Sequence, residues 1–71
     1  MALSMSEKIR ILLKRKKMTI SELAIAIETS NQNLSNKLSR DNFSEHELHK
    51  IAKAFGCNFE GFFIFDNNEK I

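Results

Sequence analysis

Along most of this chain apolar residues recur at the three- and four-residue spacing of a helix face, and the pattern breaks only near the end. Ile9, Leu12 and Leu13 form the first stripe. Ser4 with Glu7 ahead of it has the form of a capping box, in which a hydroxyl accepts from a backbone N–H and a Glu three residues on reaches back. Thr19 with Glu22 opens a second helix, and Met18 is placed to staple onto Leu23 across its start. Ser44 with Glu47 opens a later one, whose stripe is Leu48, Ile51, Ala52 and Phe55, with Phe43 stapling onto Leu48. Gly56 stops it, as a residue that takes the left-handed conformation without steric cost. In between, Ser30 is a natural N-cap for a short helix over 31–38 with one narrow apolar edge, Leu34 and Leu38. The pattern predicts a mainly α fold of four to five helices.

The 31–38 helix carries unusual chemistry. Gln32 and Asn36 point away from the leucine edge, flanked by Asn33, Ser35, Ser39 and Arg40. Asparagine is a poor helix former, so this density of amides does not serve helix stability. Each amide offers a donor beside an acceptor, the pair that matches the N6 and N7 edge of adenine in the major groove. Asn31, Gln32, Asn33 and Asn36 therefore suit base reading. Chemistry alone leaves a second reading open, a polar face turned to solvent.

Near the end the periodicity changes. Phe59, Phe62, Phe63 and Phe65 crowd beside Ile64, and 62–65 is apolar on both alternating faces, as in a strand covered on both sides. Asp66-Asn67-Asn68 supplies turn chemistry, and Lys70-Ile71 can return, which predicts a short C-terminal β-strand or hairpin. A fifth helix is the alternative, disfavoured by Gly61 and the phenylalanine run. An exposed apolar strand edge invites aggregation. Pairing with a second chain through Phe62, Phe63, Ile64 and Phe65 is therefore expected, with the tail also packing on the core. The chain divides into a helical body (1–58) and this tail (59–71).

Composition bounds the function. A core from 71 residues supplies roughly 3–5 kcal/mol, so a staple or a partner chain is expected. Cys57 is the single cysteine, which excludes an internal disulfide and suits a reducing cytoplasm. The apolar runs are too short for a membrane span and nothing resembles a signal peptide, although Met5 offers a second start to Met1. The net charge of +2 is unevenly placed. Ten Lys/Arg face six Asp/Glu through residue 57, whereas Lys70 stands against Glu60, Asp66 and Glu69 beyond it. Six of the basic residues fall between Lys8 and Lys17, a pattern open to a polyanion partner or to a solvated helix face. His46 and His49 share a helix with Cys57 soon after, but a fourth ligand and its spacing are missing, so no metal site is expected. Cys57 itself reads as a small buried residue past the helix end. No nucleophile–base pairing or glycine-rich phosphate loop is visible, and neither an enzymatic activity, a cofactor nor a small-molecule effector is expected.

The run Met18-Thr19-Ile20-Ser21-Glu22-Leu23-Ala24, the Thr29-Ser30 turn, Leu34, and Leu48 through Gly56 together resemble the Xre family, whose fold is that of the lambda-repressor-like helix-turn-helix domains. The resemblance covers roughly residues 8–60. It implies a positioning helix at 19–27 and a recognition helix at 31–38, with base contacts from Asn31, Gln32, Asn33 and Asn36. Phosphate contacts would come from the start of the positioning helix and the loop after the recognition helix, at Thr19, Ser21, Lys37, Ser39, Arg40 and Asn42. Three departures from the family stand out. Glu28 stands where the turn usually has glycine, and Ile20 where a glutamine commonly opens the positioning helix. Leu13 and Leu38 replace an Arg–Glu ion pair and are expected to touch. The implied protein is a repressor-like, homodimeric transcriptional regulator on double-stranded, pseudo-palindromic operator DNA. The alternative is a protein-interaction module, such as an antitoxin-like partner.

Overall fold

Each helix starts where a hydroxyl residue can take an extended backbone and cap the next turn. In the computed structural model, which describes residues 3–71, these starts give α1 (Met5–Arg15), α2 (Ile20–Ala26), α3 (Asn31–Arg40) and α4 (Glu45–Ala54). Ser4, Thr19 and Ser44 close complete capping boxes with Glu7, Glu22 and Glu47, and Ser30 alone caps α3 through the Asn33 N–H. The alternative start at Met5 concerns residues 1–4, of which Met1 and Ala2 lie outside the described residues. α3 runs to Arg40, so Ser39 and Arg40 sit in its last turn rather than in the loop after it.

All four helices end in the same manner, with paired backbone bonds across a left-handed residue. At the end of α2, Glu28 N–H donates to the Ile25 carbonyl at 3.1 Å and Thr29 N–H to that of Ala24 at 2.9 Å. Only the end of α4 uses glycine there, Gly56 at φ +74°, while Lys17, Glu28 and Asp41 hold φ values of 53°, 59° and 53°. A side chain in that region costs about 1–2 kcal/mol, part of which is offset because glycine loses more freedom on folding. Glu28→Gly is therefore expected to stabilise the domain by about 0.5–1 kcal/mol, read as a raised urea midpoint at unchanged slope.

The core is one cluster drawn from every helix: Ile9, Leu13, Leu23, Ala24, Leu34, Leu38, Ile51 and Phe55, with Leu23 and Leu34 fully buried. The staple residues Met18 and Phe43 pack against it. Leu13 and Leu38 lie in this same cluster, where an ion pair would have to be desolvated. α2 packs on α3 and α4, and α1 is tied to the far end of α3 by Ser6. The buried Ser6 hydroxyl donates to the Leu38 carbonyl at 2.7 Å, and its N–H donates to Asp41 Oδ1 at 2.8 Å. One bond satisfies a carbonyl left over at the end of α3, and the other satisfies an amide left over at the start of α1. The Asp41 carboxylate also sits where the α1 dipole favours negative charge.

The tail corrects two expectations. No strand forms among the described residues, nor does a fifth helix. Instead the segment turns back on itself at a single antiparallel bridge between Ile64 and Lys70. Phe63 and Ile71 exchange both backbone bonds (2.6 and 2.9 Å), and Phe65 N–H donates to the Glu69 carbonyl at 2.9 Å around an Asp66-Asn67-Asn68 loop. Two rungs without a third chain are too few for a stable strand pair. The tail also does not pack on the core: Phe62, Phe63, Ile64, Phe65 and Ile71 are all exposed, Phe63 by 78%. Only Phe59 docks, half-buried, with its ring edge-on to His49 at 5.7 Å between centroids. The radius of gyration, 13.1 Å, exceeds the roughly 11 Å of a compact chain of this length, as a projecting segment requires. Cys57 is exposed rather than buried. It is the third residue past the α4 end, where its N–H reaches back to the Ala52 carbonyl at 2.9 Å and Phe55 takes the core position.

Candidate nucleic-acid interface

Burying Leu34 and Leu38 fixes how α3 is rolled, and the roll decides what it shows to solvent. Asn31, Gln32, Asn33 and Asn36 are all exposed. Gln32 and Asn36 stand one turn apart on the outer face, and neither amide has an intramolecular hydrogen bond among the described residues. Asn33 is partly committed, since its Nδ2 donates to Thr29 Oγ1 at 2.7 Å and its N–H to Ser30 Oγ at 3.0 Å. That pair anchors the turn before α3 and leaves Asn33 Oδ1 without an intramolecular bond among the described residues. No buried side-chain nitrogen or oxygen lacks a partner among the described residues, so the free amides are confined to the surface.

Thr19 and Ser21 mark the start of α2, and both are exposed. Thr19 Oγ1 accepts from Glu22 N–H at 3.1 Å, which leaves its hydroxyl proton to donate outward. At the other end of α3, Ser39, Arg40 and Asn42 are exposed around the Asp41 clamp. The two polar groups flank the amide face.

Lys37 sits differently. Its Nζ pairs with Glu47 Oε2 on α4 at 2.7 Å, with both side chains less than a third exposed. That bond is the main reason the Glu47 carboxyl is held down to about 2 from 4.5, and the Ser44 N–H of the capping box adds to it. A depressed carboxyl contributes stability above its unfolded value and loses it as pH falls through the folded one. Glu47→Gln is accordingly expected to cost roughly 0.5–1 kcal/mol at neutral pH. That gap from the parent should close between pH 4.5 and about 2 in acid titrations of the denaturant midpoint.

Sequence reasoning missed this ion pair and the Ser6–Asp41 clamp. The one available signal was Ser6 itself, a polar residue on the same stripe as Ile9 and Leu13. His49 Nε2 lies 4.0 Å from Glu45 Oε1, and no three His, Cys, Asp or Glu side chains come together among the described residues. Nor is any described helix long and apolar enough to cross a membrane.

A family model for the Cro/C1-type HTH DNA-binding domain matches residues 8–68, which span all of α2, α3 and α4 and most of α1. Neither the curated proteins nor the solved structures gave a match to the chain.

Proposed function

Because the chain belongs to the Cro/C1-type HTH DNA-binding domain family, we propose that it is a repressor-like transcriptional regulator that reads operator DNA with the exposed amides of α3. The observation that carries this reading is the pair Gln32 and Asn36, exposed one turn apart and free of internal partners, on a helix whose opposite edge is buried. Side-chain amides in that arrangement make bidentate contacts to adenine, while Asn31 and Asn33 reach neighbouring bases. Thr19, Ser21, Ser39, Arg40 and Asn42 would hold the backbone at both ends of the helix. Lys37 contributes least to phosphate binding, because Glu47 already engages it.

A single short helix reads only a few base pairs. The operator is accordingly pseudo-palindromic, with two copies placing their α3 helices in successive major grooves about 34 Å apart. The exposed phenylalanine segment 62–65 is the element that joins them. Regulation is then steric, through occupation of a promoter.

Gln32→Ala and Asn36→Ala are each expected to weaken the specific complex by about 1–3 kcal/mol, relax preference at particular base pairs and leave non-specific binding nearly unchanged. Selection from a random duplex library followed by titration measures both effects. Equal losses on selected and random DNA would assign the two residues to the backbone and overturn base reading by this helix. A protein-interaction module instead would bind its partner with little response to salt, whereas phosphate-driven binding falls steeply.

A further inference from the structure

The hairpin has two unlike faces. Residues opposite one another across an antiparallel pair share a face, and neighbours along it alternate. Phe63 and Ile71 therefore lie on one face together with Phe65, while Ile64 and Lys70 lie on the other with Phe62. The second face carries a cation, Lys70, whose Nζ stands 5.5 Å from the centre of the Phe62 ring. Both faces are open, with Phe63 and Ile71 78% and 69% exposed and Ile64 66%, but the first face carries an anion, Glu69 opposite Phe65, in place of the lysine.

Elsewhere on the surface is a cavity of matching character. Between α1, α4 and the segment after α4 lies an apolar groove of about 120 Å³, walled by Ile9, Leu12, Leu48, Ile51 and Phe59, with Lys8 and Cys57 on its border. Phe59 occupies one end, and the chain then turns away through Gly61 into the hairpin. The molecule thus carries an apolar knob and an apolar hole that do not meet within one copy. Their charges also match. The tail bears Glu60, Asp66 and Glu69, while Lys8 of α1 lines the groove.

We infer that the groove between α1 and α4 is the seat for the Phe63–Phe65–Ile71 face of a second copy, exchanged reciprocally across a two-fold axis. This rests on the reading of the tail as the dimer element and says where that element docks. Reciprocal exchange closes the assembly at two copies, whereas one-way insertion would propagate into fibres. It also uses Lys8, which lies on α1 and outside the proposed base-reading face.

Cys57 serves as the probe, being the only thiol, exposed, and on the border of the groove. The experiment measures molar mass by light scattering and the rate of Cys57 labelling by a charged disulfide reagent, across a concentration series of the full chain. Mass should double as the labelling rate falls about tenfold, and Phe63→Ser should abolish both changes while Ile64→Ser leaves them in place. Doubling of mass with a constant labelling rate would overturn docking in the groove while keeping the tail as dimer element, as pairing of hairpin edges would do. A chain that stays monomeric with constant labelling would overturn the dimer reading as well.

Discussion

Deletion of residues 61–71 is expected to leave a folded monomer whose affinity for its operator is lower by about 100-fold or more. The body should survive, because none of the tail residues beyond Phe59 belongs to the buried cluster. What is lost, on the proposed function, is the link between the α3 helices of two copies. A second helix tethered to the first meets its half-site at an effective concentration that raises avidity by about 10²–10⁴. Direct contacts of the deleted segment with DNA cannot account for such a loss, since it carries Asp66 and Glu69 against a single Lys70. Removing that negative charge would, if anything, strengthen binding to phosphate. Titration of operator duplexes and of isolated half-sites separates the cases. The deletion should match the parent on a half-site and fall far behind on the full operator, and equal affinities on both would exclude a role for the tail in assembly.

The second large effect lies in the core. Leu38→Ala is expected to cost about 2–5 kcal/mol, the range for emptying a buried leucine site. Leu38 is only 3% exposed, closes the end of α3 and offers its carbonyl to Ser6. A domain with a net stability of roughly 3–5 kcal/mol has little to spare, so much of the variant should be unfolded at room temperature. Circular dichroism at 25 °C checks this, and Leu12→Ala, at a half-buried position, is the milder comparison.

What could be read from the chain divides along a physical line. The three capping boxes, the Ser30 cap and the stop at Gly56 are local chemistry, with partners at most a few residues apart, so sequence spacing sufficed. The rolled face of α3 followed as well, because two leucines one turn apart leave little choice about which side is buried. The Ser6–Asp41 clamp joins residues 35 apart, and Lys37 meets Glu47 across two helices. Neither contact leaves a mark in spacing. Cys57 was misread because cysteine is usually buried, while its place just past a left-handed glycine turns it outward. The tail was read as a short strand or hairpin, whereas the structure gives a single bridge between Ile64 and Lys70 around the Asp66-Asn67-Asn68 loop. Strand formation needs neighbours, and one copy supplies only two rungs.

The left-handed helix ends at Lys17, Glu28 and Asp41 bear on how long the protein lasts. Together they cost on the order of 3 kcal/mol, comparable to the whole net stability of a domain this size. Proteases that cleave the open chain act in proportion to its population, and binding to DNA or to a second copy depletes that population by mass action. On the proposed function, free copies are then cleaved before those engaged on DNA. Glu28→Gly, by removing one of the three strained positions, should persist longer under limited proteolysis than the parent at equal DNA affinity, and should blunt that selection.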